Sequence, residues 1–109
     1  MTITYKVLGQ SNPAATTATT LYTVPSTTST VCSTITICNQ AATAGSFRIA
    51  VRPAGASLAA QHYIAYDTNI PANDVLTMTI GLTLATTDVV TIYASSANIS
   101  FNLFGSEIT

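Results

Sequence analysis

Few side chains in this sequence could do chemistry, and their spacing narrows what that chemistry would be. His62 is the single histidine, which removes every site built on two imidazoles and leaves a triad or a one-histidine site. It lies in Gln61-His62-Tyr63-Ile64-Ala65-Tyr66-Asp67. Serines are abundant, but none sits in a G-x-S-x-G elbow or beside a glycine-rich oxyanion segment. The expected place for His62 is therefore a strand start or a subunit contact. Cys32 and Cys38 fall in one predicted strand, which sets their Cα atoms roughly 20 Å apart. A disulfide needs about 4.4–6.8 Å, so both are expected as reduced, semi-buried small hydrophobes, in keeping with a reducing cytoplasm. Asp67, Asn69, Asn73 and Asp74 form the densest group of oxygen ligands. Ile70-Pro71 stands where a calcium loop needs its glycine turn, and no glutamate closes the loop, so turn-building explains these residues better than a metal does.

Arg48 and Arg52 share a face, with Ala50 between them on the same side. Together with Lys6 they are the candidates for ion pairs to Asp67, Asp74, Asp88 or Glu107, within one chain or between subunits. Tyr63 and Tyr66 suggest a platform on which a sugar ring could stack. Their opposite parity predicts that one faces in and the other out, which argues against such a platform. Lys6, Arg48, Arg52, Tyr63 and Tyr66 are thus the candidate intersubunit contacts. No catalytic residue, cofactor or metal site is expected, and too few acid and base groups are present for an enzyme.

The elements that would position these residues must come from an unusual composition. The chain has 109 residues, of which 48% are hydrophobic and only 6% charged, against about 25% charged in an average soluble protein. Mean hydropathy is +0.44. The apolar residues are nevertheless scattered in short runs, far below the roughly 18–20 in a row that cross a bilayer. Met1 to Lys6 shows no basic segment leading into an apolar one, so no secretory leader and no membrane partner are expected. A net charge of −1 cannot supply the basic footprint that nucleic-acid binding requires. The combination of high hydrophobicity and low charge is also the reverse of the disordered signature. Solubility must come from hydroxyls: the sequence carries 21 Thr and 10 Ser.

Apolar residues alternate with Thr, Ser or Arg at period 2, the signal of half-buried strands. Leu76 to Leu84 is the clearest run, with every even position apolar. Ser46 to Pro53 turns Phe47, Ile49 and Val51 inward and both arginines outward, and Ile99 to Leu103 repeats the pattern. Weaker candidates are Ile3 to Leu8, Thr20 to Val24, Thr30 to Asn39, His62 to Tyr66 and Val89 to Ala94, for a total of about eight strands. Ala54 to Gln61 is a loop with room for a turn of helix, and the loop through Asn12 to Thr17 is expected to be mobile or ordered by a neighbour. No helix is available to cover an apolar sheet face, so a second sheet must. The expectation is one all-β domain over residues 1–109, a small antiparallel β-sandwich. Jelly-roll and immunoglobulin-like Greek-key connections both remain open, although the chain has no Trp and no inter-sheet cysteine pair of the immunoglobulin type.

Five strings carry a resemblance: Lys6-Val7-Leu8-Gly9-Gln10, Leu21-Tyr22-Thr23-Val24-Pro25, Phe47-Arg48-Ile49-Ala50-Val51-Arg52-Pro53-Ala54-Gly55, Gln61 to Asp67, and Phe101-Asn102-Leu103-Phe104-Gly105-Ser106-Glu107. Across nearly the whole chain the sequence resembles a family of small virion structural proteins of tailed bacteriophages, especially phages of cyanobacteria and other aquatic bacteria. The resemblance implies a non-enzymatic virion component, assembled in the host bacterial cytoplasm and brings no site residues with it. A capsid decoration or cement protein is the leading expectation, bound in many copies beside the major capsid protein as a homo-oligomer. A tail, neck or baseplate subunit is the alternative, and a receptor- or glycan-binding module is the alternative of another class. Low charge fits such a place, because nearly neutral surfaces can be buried against many neighbours without accumulating repulsion. Extended termini, Gly105 to Thr109 or the segment before Tyr5, are expected to be able to add strands to adjacent subunits.

Overall fold

The computed structural model describes residues 1–109 as two antiparallel sheets packed face to face. The strands are β1 (Ile3–Ser11), β2 (Thr19–Thr23), β3 (Ser29–Asn39), β4 (Gly45–Arg52), β5 (Tyr63–Ile70), β6 (Val75–Met78), β7 (Leu82–Leu84), β8 (Val89–Ala94) and β9 (Ile99–Ile108). One sheet runs β1-β9-β3-β6, with β7 also pairing β3, and the other runs β2-β8-β4-β5. The pairing is nested: β1 with β9, β2 with β8, β3 with β6 and β7, and β4 with β5. The chain is therefore a long hairpin rolled up on itself, which is the jelly-roll connection and not the immunoglobulin-like one.

Period-2 alternation builds the interior. Ile35 and Ile37 from β3, Phe101 and Leu103 from β9, Phe47 and Ile49 from β4 and Ile92 from β8 are fully buried. Phe47 of one sheet meets Phe101 of the other edge-to-face, with ring centroids 6.2 Å apart, a contact contributing about 0.5–1.5 kcal/mol beyond the area it buries. Asn39 is the large polar side chain inside. Its amide donates to the carbonyls of Thr43 and Pro71 at 2.9 and 3.1 Å, and its oxygen accepts from the Ala41 N–H at 3.0 Å. One side chain thus ties two crossovers to the end of β3, and its polar atoms are satisfied as burial requires.

Several expectations need correction. Leu76 to Leu84 is broken at Gly81, which takes φ +56, a conformation that glycine adopts without steric penalty. The parity survives the break: Leu76, Met78, Ile80 and Leu82 still pack against the core. Ala54 to Gln61 is the expected loop with helical turns, in the form of two short 3₁₀ turns at its ends, Pro53–Gly55 and Ala60–His62. The loop after β1 is tied down inside the chain, because Asn12 donates to the carbonyls of Ala97 and Ile99 and the Thr16 N–H to that of Ala94. Gly105 to Thr109 is not a free arm. It lies between β1 and β3 and pairs with both, so only β1 keeps an open edge at the chain termini.

Candidate functional site

The seven charged residues form few partnerships, and most of these lie in two places on opposite sheets. The first is between the sheets at the end where the chain termini meet. Tyr22 of β2 crosses the interior, and its hydroxyl donates to Glu107 Oε2 of β9 at 2.5 Å and lies 2.8 Å from the Thr30 hydroxyl of β3. Lys6 of β1 closes the group with an ion pair to Glu107 at 3.1 Å. The Tyr22 hydrogen bond, followed by Lys6, holds the Glu107 carboxyl below the ordinary glutamate range, against the opposing effect of burial. Burial, reinforced by the neighbouring carboxylate, drives the Tyr22 phenol up. Lys6 therefore serves an internal pair, and among the four acids proposed for it Glu107 is the partner.

The outer faces of the same strands are apolar. Ile3 pairs with Ile108, Tyr5 with Ser106 and Val7 with Phe104, and Ser106 in turn pairs with Val31. All of these side chains turn away from the core, and Tyr5 is 83% exposed. Alternation alone would have placed Ile3, Tyr5 and Val7 inside and Lys6 outside. Instead Ile3, Tyr5 and Val7 are exposed, because the alternate row carries Lys6, itself still half exposed, to its pair with the covered Glu107, and the outward row is left as a hydrophobic surface without a cover.

The second place is the outer face of the β2-β8-β4-β5 sheet. Arg48 makes a two-pronged ion pair with Asp67, Nε to Oδ1 at 2.7 Å and Nη2 to Oδ2 at 3.3 Å. Its guanidinium is 4.2 Å from the ring centroids of both Tyr66 and Tyr93, a geometry that planar arginine adopts readily. The hydrogen bonds to Asp67 raise the Arg48 pKa further, and Arg48 holds the Asp67 carboxyl below its usual range. Tyr63 meets Tyr66 edge-to-face at 4.9 Å.

The prediction that Tyr63 and Tyr66 point in opposite directions is overturned. Thr68 pairs with Phe47, Ala65 with Ile49 and Tyr63 with Ala50, so β5 carries extra residues against β4 and its alternation is broken by bulges. Asp67 takes φ +50, the one such value inside a strand. Ala65 faces the core, and both tyrosines come to the outer surface. Tyr93 was missed altogether, since only the β4–β8 register, Arg48 opposite Tyr93, brings it beside Arg48.

Two shallow, open depressions flank this cluster. One of about 490 Å³ is lined by Leu58, Ala59, Ala60, Tyr63 and Tyr66. The other, of about 260 Å³, includes Arg48, Ala50, Leu58, Tyr63 and Tyr93 in its wall.

The remaining candidates stay apart. Arg52 bonds to the Thr91 hydroxyl at 3.0 Å and to the carbonyls of Gly55 and Ala56, with no carboxylate partner. His62 ends a 3₁₀ turn just before β5, where its Nδ1 accepts the Ala59 N–H at 3.1 Å. Asp74 and Asp88 accept backbone N–H groups in turns. No three of the His, Cys, Asp and Glu side chains gather where they could hold a metal ion. Both cysteines are free and lie on β3. A bulge between Cys32 and Thr34 turns Cys32 inward and Cys38 outward, and burial pushes the Cys32 thiol up to about 11.

The molecule is thus a small jelly-roll sandwich with an uncovered apolar row on one outer face and an aromatic, charge-compensated cluster on the other. No family model, curated protein or solved structure matches the chain.

Proposed function

We propose that this protein is a non-enzymatic structural subunit of a tailed-bacteriophage virion, bound in many copies to the capsid as a decoration or cement protein. The observation that carries the reading is the row Ile3, Tyr5, Val7, Val31, Phe104 and Ile108 on one outer face, beside the open edge of β1. Such a surface favours burial against another subunit. A chain with 6% charge has little else to keep that face in water. The phage assignment rests on the sequence resemblance. The jelly roll is in keeping with it, since viral capsid domains use this fold, although other proteins do too.

In this reading the apolar row seats the subunit across neighbouring capsomers and adds buried area that the bare shell lacks. The major capsid protein is the proposed partner, and copies of the chain itself the neighbours. Imaging and quantitative proteomics of purified particles of the encoding phage test it. Hundreds of copies on the head are expected. Copy numbers in multiples of three or six, up to a few tens, would place the chain in the tail, neck or baseplate instead, and absence from mature particles would refute a virion role.

A further inference from the structure

The aromatic cluster on the opposite sheet is not used by the assembly face, and its chemistry is different. We infer that Tyr63, Tyr66, Tyr93, Arg48 and Asp67 form a binding site for a neutral saccharide. Three of the five tyrosines in the chain gather on one outer face, and none of their three hydroxyls spends a hydrogen bond within the protein, unlike that of Tyr22. Aromatic rings attract the C–H face of a pyranose, and phenol hydroxyls both donate to and accept from sugar hydroxyls. Arg48 and Asp67 complete this provision. The guanidinium lies 4.2 Å from two ring centroids, Nε and Nη2 are occupied by Asp67, and Nη1 has no partner within the protein. The carboxylate is 48% exposed and can accept from a second hydroxyl. A fixed donor beside a fixed acceptor suits vicinal hydroxyls, which present both.

Charge decides against other ligands. The Arg48–Asp67 pair cancels locally, so the site offers no net attraction to phosphate, sulfate or an anionic sugar. Small side chains, Ala50, Ala59 and Ala60, line the two depressions, which meet at Leu58 and Tyr63 and give room for more than one ring. Asp67 holds φ +50 at the bulge in β5, a conformation aspartate tolerates. Here it coincides with the carboxylate that grips Arg48.

The site belongs to the single chain, so its test is independent of assembly. The full chain, labelled with ¹⁵N, is titrated at neutral pH with maltotriose, cellotriose and triacetylchitotriose, each to tens of millimolar. At least one should give saturable shifts confined to the amides around Arg48, Tyr66 and Tyr93, with a millimolar or tighter constant. Tyr66→Ala should weaken that binding about tenfold or more, with a dispersed spectrum as the check on folding. Arg48→Lys, which keeps the charge but not the planar fork, should weaken it too. The inference is overturned if none of the three sugars shifts these amides, or if both variants bind as well as the parent. It is equally overturned if the same amides shift with protein concentration alone, which would make this face a contact between copies.

Discussion

Replacing Tyr22 by Phe removes a single oxygen from between the sheets, and the structure allows its effect to be worked out. The ring keeps its place, so no cavity opens and the packing term is close to zero. Two hydrogen bonds disappear: the charge-assisted one to Glu107 at 2.5 Å and the one to Thr30 at 2.8 Å. Thr30 is 0% exposed, so its hydroxyl loses its side-chain partner where water cannot replace it. A hydrogen bond to a charged group contributes about 1.5–3 kcal/mol. Glu107 keeps Lys6, which offsets part of the loss, and the net expectation is about 2–3 kcal/mol. In urea the midpoint should fall with an unchanged slope. The acid limb should change as well. Glu107 is held below its unfolded pKa, so the parent's stability from this group is fully present above the ordinary glutamate range and is lost as pH falls through the lower folded value. Tyr22→Phe removes the main cause of the depression, so the variant should lose less of its remaining stability over that acid interval. A loss under about 0.5 kcal/mol, or an acid limb parallel to the parent's, would refute the idea that this oxygen links the sheets.

Other perturbations address other parts of the structure. Gly105→Ala should destabilise by about 1–3 kcal/mol, read by thermal melting, because a Cβ there would run into the Val31 carbonyl oxygen and the Cys32 Cα, which are backbone and cannot swing aside. Native protein treated with iodoacetamide should be alkylated once, at Cys38, and a second time only after denaturation, since Cys32 is buried with its thiol raised to about 11. Tyr5→Lys should leave the melting temperature nearly unchanged, because the side chain is 83% exposed, while abolishing incorporation into particles. Incorporation at parent level would show that the apolar row is not the seat of the subunit.

Much of the fold was legible because a strand states its faces in its own sequence. Phe47, Ile49 and Val51 turn from solvent as their alternation predicts, and Leu76 to Leu84 keeps its parity even across the break at Gly81. The sandwich followed from the absence of a helix to cover a sheet. What alternation could not supply was register. Bulges opposite Arg48 and at Ser33 flip the faces of Tyr63 and Cys38, and nothing in their neighbours signals an extra residue. Parity also does not say which face is inward when both are plausible. In β1 the row that carries Lys6 is set by its pair to Glu107, some hundred residues away, which Tyr22 of the other sheet also holds, and Lys6 itself stays 44% exposed. The candidate site was half visible for the same reason: Arg48, Tyr63 and Tyr66 could be named, whereas Tyr93 enters only through the pairing of β4 with β8.

The nested pairing has a kinetic meaning. β4 and β5 close a short loop, and each later pair, β3 with β6 and β7, β2 with β8, then β1 with β9, closes an effectively short loop only once the pair inside it exists. The outermost pair completes the apolar face, since Ile3, Tyr5 and Val7 come from one of its strands and Phe104 and Ile108 from the other. A chain that has not finished folding therefore has no assembled surface to offer, and a partner that recognises it accepts only completed subunits. Native-state hydrogen exchange reads this order directly: the β1 amides bonded to β9 should exchange before those of β4 bonded to β8. If the proposed assembly role holds, association at that face should slow them most, stabilising the part of the molecule that the free subunit holds least firmly.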